Sequence, residues 1–205
     1  MAKFPWSPDT DVLRRVTANH RLLRPGTLMA RNYARGGSHP TTWRGFRVDG
    51  PLPGARFDHH VAGDRRGVLY ASGSLQTCVA KVFQGSRVID RFAADRCLAA
   101  SVWRNRSACS ISRGTGRPAP APARQSPPVR VRGLKRGPVR STRRTPNVEG
   151  IWYPSSMHGG HPAVVLFERA EPALASIPDV DIPLSHPGLL PDLVRTAESL
   201  GYLLR

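Results

Sequence analysis

Apolar positions along this chain cluster into short runs separated by Gly/Pro-rich polar stretches, and each run predicts one element. Residues 67–71, Gly-Val-Leu-Tyr-Ala, read as a short buried strand. Ser74 then stands where a helix N-cap is needed. Leu75, Cys78, Val79, Val82 and Phe83 recur at i, i+3, i+4, i+7 and i+8, one apolar face of a helix. Residues 88–92 predict a further short helix or strand. Residues 148–153 and 163–167 predict two more strands, and residues 191–204 a terminal helix with Leu193, Ala197, Leu200 and Leu204 on one side. Near the start, Asp9 or Thr10 can cap a short helix through Val12, Leu13 and Val16. Between that helix and the first strand, Trp43, Phe46 and Phe57 punctuate a Gly/Pro-rich stretch, which predicts loops and short strands around a cleft.

The pattern fails in the middle. Residues 104–144 hold eleven arginines, one lysine and no acidic residue, with Pro118, Pro120, Pro122, Pro127, Pro128 and Pro138 among them. Such a segment cannot bury enough apolar surface to offset the entropy of ordering it, so disorder is expected there. The chain thus divides into a folded half over 1–103, a basic Arg/Pro-rich segment over 104–144, and a resumption of globular texture over 145–205. The segment also accounts for most of the net charge of +17: outside it, 19 basic residues face 14 acidic ones. Read one base out of register with GC-rich codons, 104–117 can spell ordinary globular sequence, and 139–145 likewise. A reading-frame scar therefore stands beside a genuine basic insert as an explanation, and the abrupt loss of every acidic residue favours the scar.

Composition excludes some classes. No apolar run approaches the roughly 20 residues a membrane-spanning helix needs. The N-terminus has no apolar core of a secretory signal. Cys78, Cys97 and Cys109 are an odd number without C-x-x-C spacing, which argues against a disulfide framework or zinc site and fits a cytoplasmic protein. The pairs His59-His60 and His158/His161 lack the carboxylate or cysteine company of a metal centre, so no metal is expected. Neither a P-loop nor a G-x-G-x-x-G fingerprint is present.

Three stretches, in order, carry a family resemblance. The first is Gly54-Ala55-Arg56-Phe57-Asp58-His59-His60. The second is the strand ending Leu69-Tyr70-Ala71-Ser72 with the helix Thr77-Cys78-Val79-Ala80-Lys81-Val82-Phe83-Gln84, continuing to residues 87–91. The third is Gly150-Ile151-Trp152-Tyr153-Pro154-Ser155-Ser156, followed by residues 163–167. Together they resemble the RES domain over residues 21–103 and 146–170, the strand–helix pair being the most specific part. The resemblance implies an α+β fold similar to ADP-ribosyltransferase toxins, with a split β core flanked by helices. It implies cleavage of NAD+ at the nicotinamide–ribose bond, by phosphorolysis in characterised members, as the toxin of a toxin–antitoxin pair. NAD+ is then a substrate with phosphate as co-substrate, no cofactor is required, and the partner is an Xre-type helix-turn-helix antitoxin. Nucleic acid enters only through that antitoxin, and no membrane is involved.

The same resemblance assigns residues. Arg56 matches the family's arginine, and a guanidinium suits a diphosphate because its planar fork is always charged. Phe57 takes the aromatic place beside it, where it can stack on a ring of the ligand. Tyr70 matches the strand tyrosine that reaches the ligand through its phenol. Ser155 matches a serine after Pro154, with Ser156 as the fallback. One position departs: eleven residues beyond the tyrosine the family has a glutamate, and this chain has Lys81. Loss of nicotinamide builds oxocarbenium character on the ribose. A carboxylate stabilises that charge and an ammonium opposes it, and Asp58 does not fill the same place. This copy is therefore expected to cleave NAD+ poorly or not at all. The rival readings are a non-specific nucleic-acid binder acting through 104–144, and a catalytically dead remnant that still binds its antitoxin. A solvent-facing helix lysine is the ordinary account of Lys81, a surface ion pair that of Arg56, and a half-buried strand tyrosine that of Tyr70.

Overall fold

The computed structural model describes residues 20–48, 67–104, 110–113, 148–155 and 157–205. The strands are β1 (His20–Leu22), β2 (Leu28–Ala34), β3 (Val68–Ser72), β4 (Val88–Ile89), β5 (Arg96–Val102), β6 (Ser110–Arg113), β7 (Gly150–Pro154), β8 (Pro162–Phe167), β9 (Val180–Pro183) and β10 (Leu203–Leu204). The α-helices among the described residues are α1 (Leu75–Phe83) and α2 (Leu190–Leu200). The arrangement is α+β.

Eight strands make one sheet in the order β1-β6-β7-β8-β3-β2-β5-β9, antiparallel except at β6–β7. The central pairing joins β3, from before the basic segment, to β8, from after it, with Val68 opposite Phe167 and Ser72 opposite Ala163. The flanking pieces of the chain therefore build one sheet and one domain. β8 is apolar throughout because both its faces are covered. Val164 and Leu166 join a core with Met29, Tyr33, Trp43, Leu69 and Trp103, while Ala163, Val165 and Phe167 face the other way with Val68 and Ile151. On that second side α1 and α2 pack over the β2–β5–β9 half, through Val79, Phe83, Leu98, Leu184, Leu189 and Leu193. Gly150 at the start of β7 is required by close approach: a Cβ there would lie 2.6 Å from the Val165 carbonyl oxygen.

The predicted strand–helix unit forms as the apolar pattern dictates. The Ser74 hydroxyl accepts from the Thr77 amide at 3.2 Å and starts α1. The predicted strands at 148–153 and 163–167 are β7 and β8, and residues 88–92 supply only the two-residue β4. Two expectations are corrected. The terminal helix stops at Leu200, because Gly201 takes the left-handed conformation (φ 64°) and the Tyr202 amide closes on the Ala197 carbonyl at 2.9 Å. Leu203–Leu204 then pair in parallel with β4, so Leu204 belongs to a strand. Within the segment expected to be disordered, Ser110–Arg113 form β6, held between the hydrogen-bonding edges of β1 and β7, and Arg104 pairs with Asp179. The remainder of 104–144 lies outside the described residues, as does the helix expected through Val12 and Val16. No helix among the described residues is long and apolar enough to cross a membrane.

Candidate functional site

Register brings two tyrosines to one place. Tyr70 on β3 is opposite Val165 of β8, and Tyr153 on β7 is opposite Ala163 of the same strand. Val165 and Ala163 are two residues apart and so point to one face. The tyrosines thus flank β8 from either side, and the small Ala163 leaves room between them. This face is the one α1 covers, and Lys81 reaches down from the helix into the gap. Its ammonium donates to the Tyr153 hydroxyl and lies 4.8 Å from the centroids of both the Tyr70 and Tyr153 rings. At Tyr153 the ammonium lies beyond the hydroxyl, at the edge of the ring, and the contact there is the hydrogen bond. Lys81 is half-buried and faces the tyrosines, which differs from the solvated lysine that helix periodicity alone allows.

A guanidinium borders the same ring. Arg47 is bridged to Val68 by two backbone hydrogen bonds of 2.9 Å, and its Cζ lies 5.8 Å from the Tyr70 centroid. The loop before it is pinned by buried Arg31 of β2, which donates to the carbonyls of Trp43 (2.7 Å) and Gly45 (2.9 Å). Burial lowers the Arg31 pKa to about 10, so it stays a cation at neutral pH, and both carbonyls have a charged donor.

One turn before Lys81, Thr77 adds a polar chain to this side of α1. Its hydroxyl lies 2.9 Å from that of Ser74 and 2.8 Å from Nδ1 of His158. His158 stacks on His161 with centroids 4.0 Å apart, and burial, then the neighbouring imidazole, holds its pKa below the usual value. Ser155, buried at the end of β7, keeps the turn that carries both histidines. Its amide donates to the His161 carbonyl at 2.8 Å, and its hydroxyl accepts from the Met157 amide at 3.3 Å.

Of the residues assigned from the sequence, Tyr70 and Lys81 meet, and Ser155 sits two residues past Tyr153 in a turn-holding role. Arg56, Phe57, Asp58, His59, His60 and Ser156 lie outside the described residues. Arg47, Tyr153, Thr77 and His158 were not singled out for this site by sequence. Tyr153 stood inside a quoted motif, whereas Arg47 carried no signal: it lies in a loop, and only the bridge to Val68 sets it beside Tyr70. Among the described residues no cluster of three metal-ligating side chains occurs.

An open cleft of about 690 Å³ lies elsewhere, bordered by Tyr33, Arg35, Trp43, Arg44, Ile177 and Asp181. Its charges answer one another: Asp181 accepts from the Tyr33 hydroxyl (2.8 and 2.9 Å) and pairs with Arg35 (2.8 Å). The cluster under α1, where Lys81 meets Tyr70 and Tyr153 and Arg47 stands beside Tyr70, is the better chemical site.

A family model described as the RES domain matches residues 30–187, a single span that runs through the basic segment. No curated protein and no solved structure matches the chain.

Proposed function

The chain belongs to the RES domain family, and from that premise we propose that it is an NAD+-directed toxin-family protein whose own cleavage step is impaired. The observation that carries this reading is the meeting of Tyr70 and Lys81, eleven residues apart, where the family resemblance has its tyrosine and its glutamate. In the reading, NAD+ binds beside Tyr70 and α1, with the Tyr70 hydroxyl on the ligand and Arg47 answering the diphosphate, the role that the family resemblance gives Arg56. The active family reaction breaks the ribose C1′–N bond. Nicotinamide leaves with the electron pair, and a phosphate oxygen bonds to C1′. Positive charge accumulates on the ribose as this happens. Lys81 puts a second positive charge where that developing charge needs a carboxylate, which raises the barrier. The fold would be related to the ADP-ribosyltransferase toxins, the setting the cytoplasm, and the partner an Xre-type helix-turn-helix antitoxin.

The test is nicotinamide release from NAD+, with and without phosphate, by the wild type and Lys81→Glu side by side. The wild type is expected to be silent and Lys81→Glu to gain turnover. Robust wild-type turnover would overturn the impairment. Folded but silent protein in both cases, with no NAD+ binding, would overturn the ligand.

A further inference from the structure

We propose that the turn 157–161 is latched onto α1 by the His158–Thr77 hydrogen bond, and that acid releases the latch. The turn joins β7 to β8, whose last paired residues are Pro154 and Pro162. Its backbone bonds are local: the Gly160 amide donates to the Ser155 carbonyl (2.9 Å), and the His161 amide to the His158 carbonyl (2.8 Å). Among the described residues one hydrogen bond crosses from the turn to the helix, between His158 Nδ1 and Thr77 Oγ1 at 2.8 Å.

The bonds around Thr77 give this contact a direction. Ser74 Oγ accepts from the Thr77 amide at 3.2 Å and lies 2.9 Å from Thr77 Oγ1. With its acceptor role filled, Ser74 donates to Thr77 Oγ1, and Thr77 donates to Nδ1 of a neutral His158. Both hydroxyls then donate and accept. A second proton on the imidazole lands on Nδ1 and faces the Thr77 hydrogen. Keeping the contact would require the chain to reverse, which leaves the Ser74 hydrogen without its acceptor.

Charge acts in the same sense. The imidazolium would stand at the first turn of α1, the positive end of the helix dipole, with His161 stacked 4.0 Å away. α1 brings Lys81 one turn further on and no carboxylate, and residues 153–163 contain none either. Burial, then His161, holds the His158 pKa below the ordinary 6.5. A proton therefore binds the released turn more tightly than the latched one. Release becomes more favourable as pH falls below about 6.5, by up to about tenfold per pH unit, until the latched value is passed. It frees Ser155 from the His161 carbonyl and the Met157 amide, and so loosens the end of β7 two residues from Tyr153.

The experiment is hydrogen exchange of the full chain at about pH 7.5 and about pH 5.5, corrected for intrinsic rates and read over residues 155–161 and over α2. In the wild type, protection of the turn is expected to fall about fivefold to tenfold more than that of α2. His158→Gln keeps an acceptor for Thr77 and cannot titrate, so its turn should stay protected at both pH values. Thr77→Val should leave the turn open at both. Wild-type protection that does not change with pH would overturn the inference. Loss of protection in His158→Gln equal to the wild type's would also overturn it, by placing the titrating group elsewhere. A turn still protected at neutral pH in Thr77→Val would overturn the latch. Should Thr77→Val not fold, the wild type against His158→Gln still decides.

Discussion

Lys81 and Tyr153 meet across 72 residues of chain, the ammonium of a helix donating to the phenol of a strand. The contact ties α1 to β7, which come from opposite sides of the basic segment, and it lies at the candidate site itself. Stability and site chemistry are therefore coupled at this pair.

Replacing Tyr153 with Phe keeps the ring and removes the acceptor. A half-buried ammonium that loses one charge-assisted hydrogen bond while retaining its aromatic neighbours should cost about 1 kcal/mol. Urea unfolding measures this. An unchanged midpoint would mean the bond does not persist in solution.

Arg31 is the larger structural liability. Arg31→Met leaves the Trp43 and Gly45 carbonyls without their charged donor and frees the loop that leads to Arg47. The expected loss is about 2–4 kcal/mol. Arg31→Lys should recover only part of it, because one ammonium does not reproduce a planar fork reaching two carbonyls. Denaturant midpoints of the two variants against the wild type read the ordering directly.

At the start of α1, Ser74→Ala removes the side-chain cap on the Thr77 amide and the hydroxyl contact with Thr77. About 1 kcal/mol is expected, and Ser74→Thr should restore most of it. If alanine proves as stable as threonine in thermal melts, the cap contributes nothing.

His158 makes stability depend on pH in a definite sense. Its folded pKa lies below the ordinary 6.5, chiefly through burial and then through His161. On acidification the unfolded chain protonates this group first and so binds more protons than the folded chain. The His158 contribution is thus complete above about pH 6.5 and is lost as pH falls through the depressed folded value. Melting temperatures between about pH 7 and pH 5 should fall less steeply for His158→Gln than for the wild type. Parallel slopes would remove His158 from the explanation.

How far the sequence reaches depends on whether an element announces itself locally. β3, α1, β7 and β8 do so: an apolar run, a capping serine and a 3.6-residue apolar period are properties of neighbouring residues. β2 and β5 form the most extensively paired ladder among the described residues, with seven partners from Leu28–Val102 to Ala34–Arg96, yet β5 was not predicted and β2 only as one of several unplaced short strands. β5 reads Arg-Cys-Leu-Ala-Ala-Ser-Val, built of small residues with weak strand preference, and its place between β2 and β9 comes from packing. β9 ends in proline, which an edge strand tolerates and a sequence pattern discounts. At the chain's end, the apolar spacing continues through Leu204, while the left-handed turn at Gly201 hands the last residues to β4.

By itself the sequence determined the central strand–helix unit, the two strands after the basic segment, the family resemblance, and the substitution at Lys81, since each is written in contiguous residues. Only the tertiary structure decided that Tyr153 and Arg47 share Tyr70's surroundings and that Lys81 meets the Tyr70 ring and the Tyr153 hydroxyl. Those relationships depend on cross-strand register and on which face a helix lays against the sheet. Contacts between residues tens of positions apart have no local signature, and they form because burying the shared faces of β3, β7 and β8 requires them.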